Sequence, residues 1–120
     1  EALAISAQEA ILLNPERYLA EGSSSNLFWA RAGRLYTPGK SVGILAGITR
    51  EVVLKLAKKE NISVTEGFYR KSALYNADEA FITNTGFELM PLTQVDQNKI
   101  GTGRPGKVTT RLHKLFRTIF

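Results

Sequence analysis

The stretch Glu21-Gly22-Ser23-Ser24-Ser25-Asn26-Leu27-Phe28-Trp29 sets a carboxylate and a glycine, then serines and an asparagine, directly before an apolar run. It reads as a strand ending at Glu21, a Gly/Ser turn, and a second strand over Asn26–Ala30. Tyr18–Glu21 forms the first of these strands. Before it, Asn14-Pro15 stops a helix predicted over residues 2–13, where Ala2, Ala4, Ala7 and Ala10 favour helix and Leu3, Ala7, Ala10 and Ile11 fit helical spacing. After it, Ala32-Gly33 predicts a hairpin turn that returns through Leu35-Tyr36-Thr37, and Pro38-Gly39-Lys40 predicts a loop.

The rest of the chain alternates in the same way. From Ile48 to about Lys59, Ile48, Val52, Val53, Leu56 and Ala57 share one helical side, while Arg50, Glu51, Lys55, Lys58 and Lys59 fall mostly on the other. Ile62–Glu66 alternates like a strand, and Arg70–Asn76 predicts a short helix. Ala80–Thr83 and Glu88–Val95 predict strands joined by a tight Asn84-Thr85-Gly86 turn, and Asp96-Gln97-Asn98 predicts a second hairpin. Lys107–Phe120 carries Val108, Leu112, Leu115, Phe116 and Ile119 at helical spacing. The expected class is mixed α and β with antiparallel hairpins, and no internal repeat, linker or low-complexity tract breaks it.

The chain has 120 residues, 43% hydrophobic and 22% charged, which suits one folded domain. No apolar run approaches the roughly 18 residues that span a bilayer. The start lacks a basic-then-apolar signal pattern. Without cysteine there are no disulfides or thiolate metal sites, and the lone His113 cannot build a metal site with other histidines. These features point to the cytoplasm, with no membrane partner. The net charge of +5 is concentrated late, in Lys99, Arg104, Lys107, Arg111, Lys114 and Arg117. Such a tail is most often a solvated face, although it could attract an anion. The chain begins inside a helical pattern without Met and stops inside an apolar one, so we expect a piece of a longer protein.

Leu45-Ala46-Gly47-Ile48-Thr49-Arg50 sets a glycine and a hydroxyl before a strong helix. The first amides of a helix lack internal partners and can hold a phosphate with help from the Thr49 hydroxyl. By itself the segment is more simply a helix cap. Thr83-Asn84-Thr85-Gly86 offers donors for an anion at a strand end, yet by itself it is more simply a turn. Glu21 by itself is a strand-end carboxylate.

Together, in this order and spacing, the segments resemble the class IV aminotransferases, pyridoxal phosphate (PLP) enzymes. Glu21-Gly22 with Asn26-Leu27-Phe28 resembles the family's E-x-x-x-x-N-x-F, and Leu35-Tyr36-Thr37-Pro38 its L-x-T-P turn. Leu45–Arg50 resembles L-P-G-I-T-R with Ala46 in place of proline. Asp78-Glu79-Ala80-Phe81 with Thr83-Asn84-Thr85 resembles the D-E-x-F…T/S region, and Pro91 matches a family proline. Gly106-Lys107-Val108-Thr109 resembles G-P-V/I-T with Lys107 in place of proline.

The resemblance implies a fold-type IV C-terminal domain over residues 1–120, a mixed sheet or pseudo-barrel with flanking helices. It makes Glu21 the partner of the PLP ring nitrogen. An adjacent carboxylate would hold that nitrogen protonated and improve the ring as an electron sink. It places Leu45 on the ring face, and Gly47, Ile48 and Thr49 in the phosphate cup. Thr85 becomes a second phosphate hydroxyl that also faces substrate, and Gly86 an amide near phosphate or substrate carboxylate. Asn26 would organise the loop under Glu21. The family's Schiff-base lysine is expected upstream of the Glu21 motif, and no lysine precedes Lys40. The chain is therefore expected to be inactive alone, a homodimer when whole, and prone to self-association as a piece.

The implied activity moves an amino group from an amino acid to a 2-oxo acid. Branched-chain substrates are the family default, and Glu88 keeps a feature common near the aminotransferase loop. A PLP lyase of the aminodeoxychorismate type shares the early chemistry and fits Thr83-Asn84-Thr85 equally well. From another class, a nucleic-acid-binding module would rest on Lys107, Arg111, Lys114 and Arg117, but no stacking aromatics interleave with them. Trp29 and Tyr36 are expected in the core, and His113 on the surface or partly packed.

Overall fold

The computed structural model describes residues 2–3, 11–13, 19–22, 25–39, 48–84, 88–95 and 98–119. Glu21, Ile48 and Thr49 are described by their backbone alone. The expected Asn14-Pro15 stop, the Ser23-Ser24 turn, Lys40, Leu45, Gly47, Thr85, Gly86 and the Asp96-Gln97 turn lie outside the described residues.

The sheet is built around β4 (Ser25–Arg31). One edge of β4 pairs antiparallel with β7 (Glu79–Asn84), from Asn26 opposite Thr83 to Ala30 opposite Glu79. The other edge is shared. β3 (Leu19–Gly22) pairs with its start, Glu21 opposite Asn26. β5 (Arg34–Pro38) pairs with its end, Trp29 opposite Tyr36. The hairpin between β4 and β5 turns at Ala32 and Gly33, with φ of 52° and 78°. The Asp78 carboxylate steadies it by accepting from the Ala32 amide at 2.8 Å. β8 (Glu88–Pro91) extends the sheet beyond β7. β6 (Val64–Gly67) joins β5 in the parallel pair, and the helix α1 (Ile48–Lys59) lies between them in sequence, as a parallel connection requires.

The expected helix over residues 2–13 is not formed in the described segments. Ala2–Leu3 (β1) and Ile11–Leu13 (β2) are strands, with Ala2 opposite Leu12. A continuous helix would hold those two residues about 15 Å apart. The apolar Ile11-Leu12-Leu13 run pairs with β3, Leu12 opposite Glu21. Ladder bonds there outweigh alanine's helix preference, worth only tenths of a kcal/mol per residue. The predicted Glu88–Val95 strand is also interrupted. β8 stops at Pro91, and Gln94–Val95 (β9) pairs instead with Asn98–Lys99 (β10) in a separate hairpin.

Period-two alternation divides the core between the sheet's faces. Phe28, Ala30, Leu35, Phe81 and Leu89 pack under Val53, Leu56 and Ala57 of α1 and under Leu112 and Phe116 of α3 (Lys107–Ile119). Phe28 and Phe81 stack there with ring centres 5.1 Å apart. On the opposite face Leu27, Trp29, Ala80 and Ile82 meet Leu74 of α2 (Lys71–Tyr75) and Val95 and Ile100 of the small hairpin. Trp29 is buried among Tyr36 and Tyr69, as a core aromatic was expected to be. His113 is half-buried.

Candidate functional site

Four strands contribute one row of residues in mutual register. Glu21 of β3 stands opposite Asn26 of β4, which stands opposite Thr83 of β7, which stands opposite Leu89 of β8. Asn26 and Thr83 lie two residues along from Phe28 and Phe81, hence on the face covered by α1 and α3. Both are buried, and among the described residues the Thr83 hydroxyl oxygen has no hydrogen-bond partner. An orphaned buried hydroxyl costs about 1–3 kcal/mol, which calls for an explanation at that position.

The start of α1 is brought to the same end of the sheet. Because Trp29 pairs with Tyr36, the C-terminal end of β5 runs beside the Asn26 end of β4. The Thr37 hydroxyl donates to the Leu27 carbonyl at 2.7 Å, holding the strands together there. Arg50, in the first turn of α1, donates to the Pro38 carbonyl at 3.2 Å, so the helix begins over the end of β5. Its first amides, which lack intrahelical partners, and its positive dipole end therefore lie where the parallel strands β5 and β6 end, the usual location of anion sites in such crossovers. β7 ends at Asn84 opposite the start of β8 at Glu88, again at this end.

Of the residues expected in the site, Glu21 is thus in the row, and Ile48 and Thr49 are the first residues of α1. Thr49 lies within the helix rather than before it. Leu45, Gly47, Thr85 and Gly86 lie outside the described residues.

Arg50 corrects the helical-phase reading. It was expected on the solvated side of α1 and is instead fully buried. Its guanidinium donates to a Glu66 carboxylate oxygen at 2.5 Å, and Glu51 accepts at 3.3 Å. At a helix end, a long side chain can reach along the strand termini instead of outward. The sequence reading also missed Glu79. Its buried carboxylate accepts from the amides of Val108 (3.2 Å) and Thr109 (2.6 Å), capping α3 from a neighbouring strand. The available signal was the lack of Ser, Thr, Asp or Asn before Lys107, which leaves the first amides of α3 to a remote acceptor. Gly106 belongs to this cap, since a Cβ there would fall 2.3–2.7 Å from the Glu79 carboxyl group.

Other features are less suited to ligand chemistry. A groove of about 510 Å³ is lined by Leu54 and Lys58 of α1 together with Ile62, Val64 and Glu66. The exposed Arg111 pairs with Glu60. Among the described residues no group of His, Cys, Asp and Glu could hold a metal, and no helix is long and apolar enough to cross a membrane.

Residues 1–95 match the family Amino-transferase class IV. Over 116 residues the chain is 43% identical to the branched-chain-amino-acid aminotransferase of Pseudomonas aeruginosa, covering 97% of this chain and 38% of that protein. A probable branched-chain-amino-acid aminotransferase of Aquifex aeolicus is 44% identical over 117 residues, with 97% of this chain and 38% of that protein covered. The solved structure of the branched-chain amino acid aminotransferase from Escherichia coli superposes with a TM-score of 0.92 at 40% identity, covering 96% of this chain and 39% of that one. The branched-chain amino acid aminotransferase from Thermobaculum terrenum, solved in its PLP form, gives a TM-score of 0.90 at 36% identity, covering 95% and 38%. The chain thus spans well under half the length of these relatives.

Proposed function

The chain belongs to the class IV aminotransferase family, and from that membership we propose that it is the PLP-binding portion of a branched-chain amino acid aminotransferase. The observation that carries this is a convergence at one end of the sheet. The first turn of α1 and the Glu21–Asn26–Thr83 row share that end and face. The donor set fits a phosphorylated pyridine: the amides of a helix start, which lack intrahelical partners, and the buried Thr83 hydroxyl, which has no partner among the described residues, suit an anion.

PLP, when bound, supplies the electron sink for the substrate α-carbon. Glu21 would keep the pyridine nitrogen protonated by placing an opposite charge beside it. The amides of Gly47, Ile48 and Thr49 and the hydroxyls of Thr49 and Thr85 would hold the phosphate. Leu45 would pack on the ring, and Thr85 and Gly86 would orient the substrate carboxylate. Lys55, Lys58 and Lys59 are exposed on α1, and no lysine precedes Lys40. We therefore assign the amine that binds the cofactor carbonyl to the remainder of the full-length protein, and expect this chain alone to be inactive. The whole protein is proposed to be a homodimer that takes an amino acid and a 2-oxo acid, with no nucleic-acid or membrane partner. The relatives carry the transaminase name, which favours that activity over the lyase reading.

The test uses the full-length protein. It should bind PLP, seen by absorbance, and transfer amino groups from leucine, isoleucine or valine to a 2-oxo acid. Glu21→Gln should retain PLP while lowering kcat roughly a hundredfold, the scale of losing one preorganised electrostatic partner. Release of pyruvate from an aminodeoxychorismate substrate, without amino transfer, would replace this reading with the lyase one.

A further inference from the structure

We infer that Arg50 and Glu66 form a positioning pair that sets the first turn of α1 against the ends of β5 and β6, and so presets the amides that receive the cofactor phosphate. The inference rests on the functional reading above and assigns neither residue to contact with the cofactor.

The geometry is that of a three-way tie. Arg50 belongs to the first turn of α1, Pro38 ends β5, and Glu66 lies near the end of β6. A single guanidinium nitrogen reaches both the Pro38 carbonyl, at 3.2 Å, and the Glu66 carboxylate, at 2.5 Å. Beside it, the amide of Gly39 donates to the Gly67 carbonyl at 2.9 Å, so the two strand ends are themselves joined. Arg50 is fully buried, while the Glu66 side chain remains 46% exposed. A buried cation is tolerated only when paired, so the helix end cannot lift without separating this pair and stranding the charge. The guanidinium matters here because one nitrogen serves the acceptors on β5 and β6 while the other reaches Glu51, a fixed planar arrangement that a compact ammonium on a flexible stem does not reproduce. Among the described residues Arg50 Nε finds no acceptor in spite of its burial.

Phosphate recognition by helix amides needs those amides held within a fraction of an ångström, because each N–H bond weakens steeply with distance and angle. Loss of the tie should therefore weaken affinity for the phosphate more than affinity for the ring. The experiment compares PLP with pyridoxal, which lacks the phosphate, for rebinding to the full-length apoprotein. Thermal midpoints of the apoprotein and circular dichroism are recorded alongside. Glu66→Gln keeps a hydrogen-bond acceptor and should weaken PLP several-fold. Arg50→Gln should weaken it roughly tenfold or more, the scale of removing an outer-shell support, with pyridoxal affinity within about twofold of wild type. Arg50→Lys should recover part of the loss.

Folded Glu66→Gln and Arg50→Lys proteins that keep wild-type PLP affinity overturn the inference. Equal losses for PLP and pyridoxal also overturn it, since they would report general damage. If Arg50→Gln does not fold, those other variants decide the matter. A wild-type protein that binds no PLP sinks the functional reading and this inference together. Wild-type binding with unchanged PLP-to-pyridoxal ratios in the variants sinks the inference alone.

Discussion

Gly101 has φ +59°, and a Cβ there would lie 1.9 Å from the Asp78 carbonyl oxygen. Backbone strain and backbone collision thus act at one residue. Gly101→Ala should destabilise the fold by about 2 kcal/mol or more, measured by urea unfolding. Tyr69 carries a different kind of constraint. Its phenol is raised above the ordinary value of 10.0, first by burial and then by Tyr36. The folded state therefore favours the protonated phenol. The associated stability is fully present below about pH 10 and is lost as pH rises through the raised folded value. Urea midpoints should fall above about pH 10, and Tyr69→Phe should flatten that fall. Arg50 and Glu79 show why single residues were hard to read from sequence. Helical phase put Arg50 in solvent, and nothing local linked Glu79 to the helix that starts at Lys107. Both act on acceptors or donors 12 to 30 residues away.

Elements were legible where local chemistry and tertiary demand agree. The Ala32-Gly33 turn was read from its residues, and both indeed adopt positive φ. Alanine is strained there, since its Cβ crowds the backbone, so the conformation is imposed by the β4–β5 register and the Asp78 contact. Ala32→Gly should therefore stabilise the protein by about 0.5–1 kcal/mol, visible as a rise in thermal midpoint. The helix α1 was read with its observed limits because its apolar stripe had to meet the sheet. The described parts of the expected first helix, residues 2–3 and 11–13, went the other way. The alanines of that stretch favour helix, but the strand pairing of Ile11–Leu13 with Leu19–Gly22 is a long-range gain that composition does not carry.

Across the whole molecule, the stacked Phe28–Phe81 pair joins the central strands beneath both long helices. Phe28→Ala should cost about 3–5 kcal/mol, a large share of the roughly 5–15 kcal/mol that a domain possesses, and should appear as a much lower urea midpoint. Sequence by itself determined the family, the order of most strands and helices, and the residue types available for an anionic, ring-bearing cofactor. Those properties reside in local pattern and in motif order along the chain. Tertiary structure alone decided that Glu21, Asn26 and Thr83 form one row, that α1 begins over the same end of the sheet, and that Arg50 is tied to Pro38 and Glu66. Register and crossover set those relations, and both depend on which distant segments pair, a choice made by burial and ladder hydrogen bonds summed over the whole sheet.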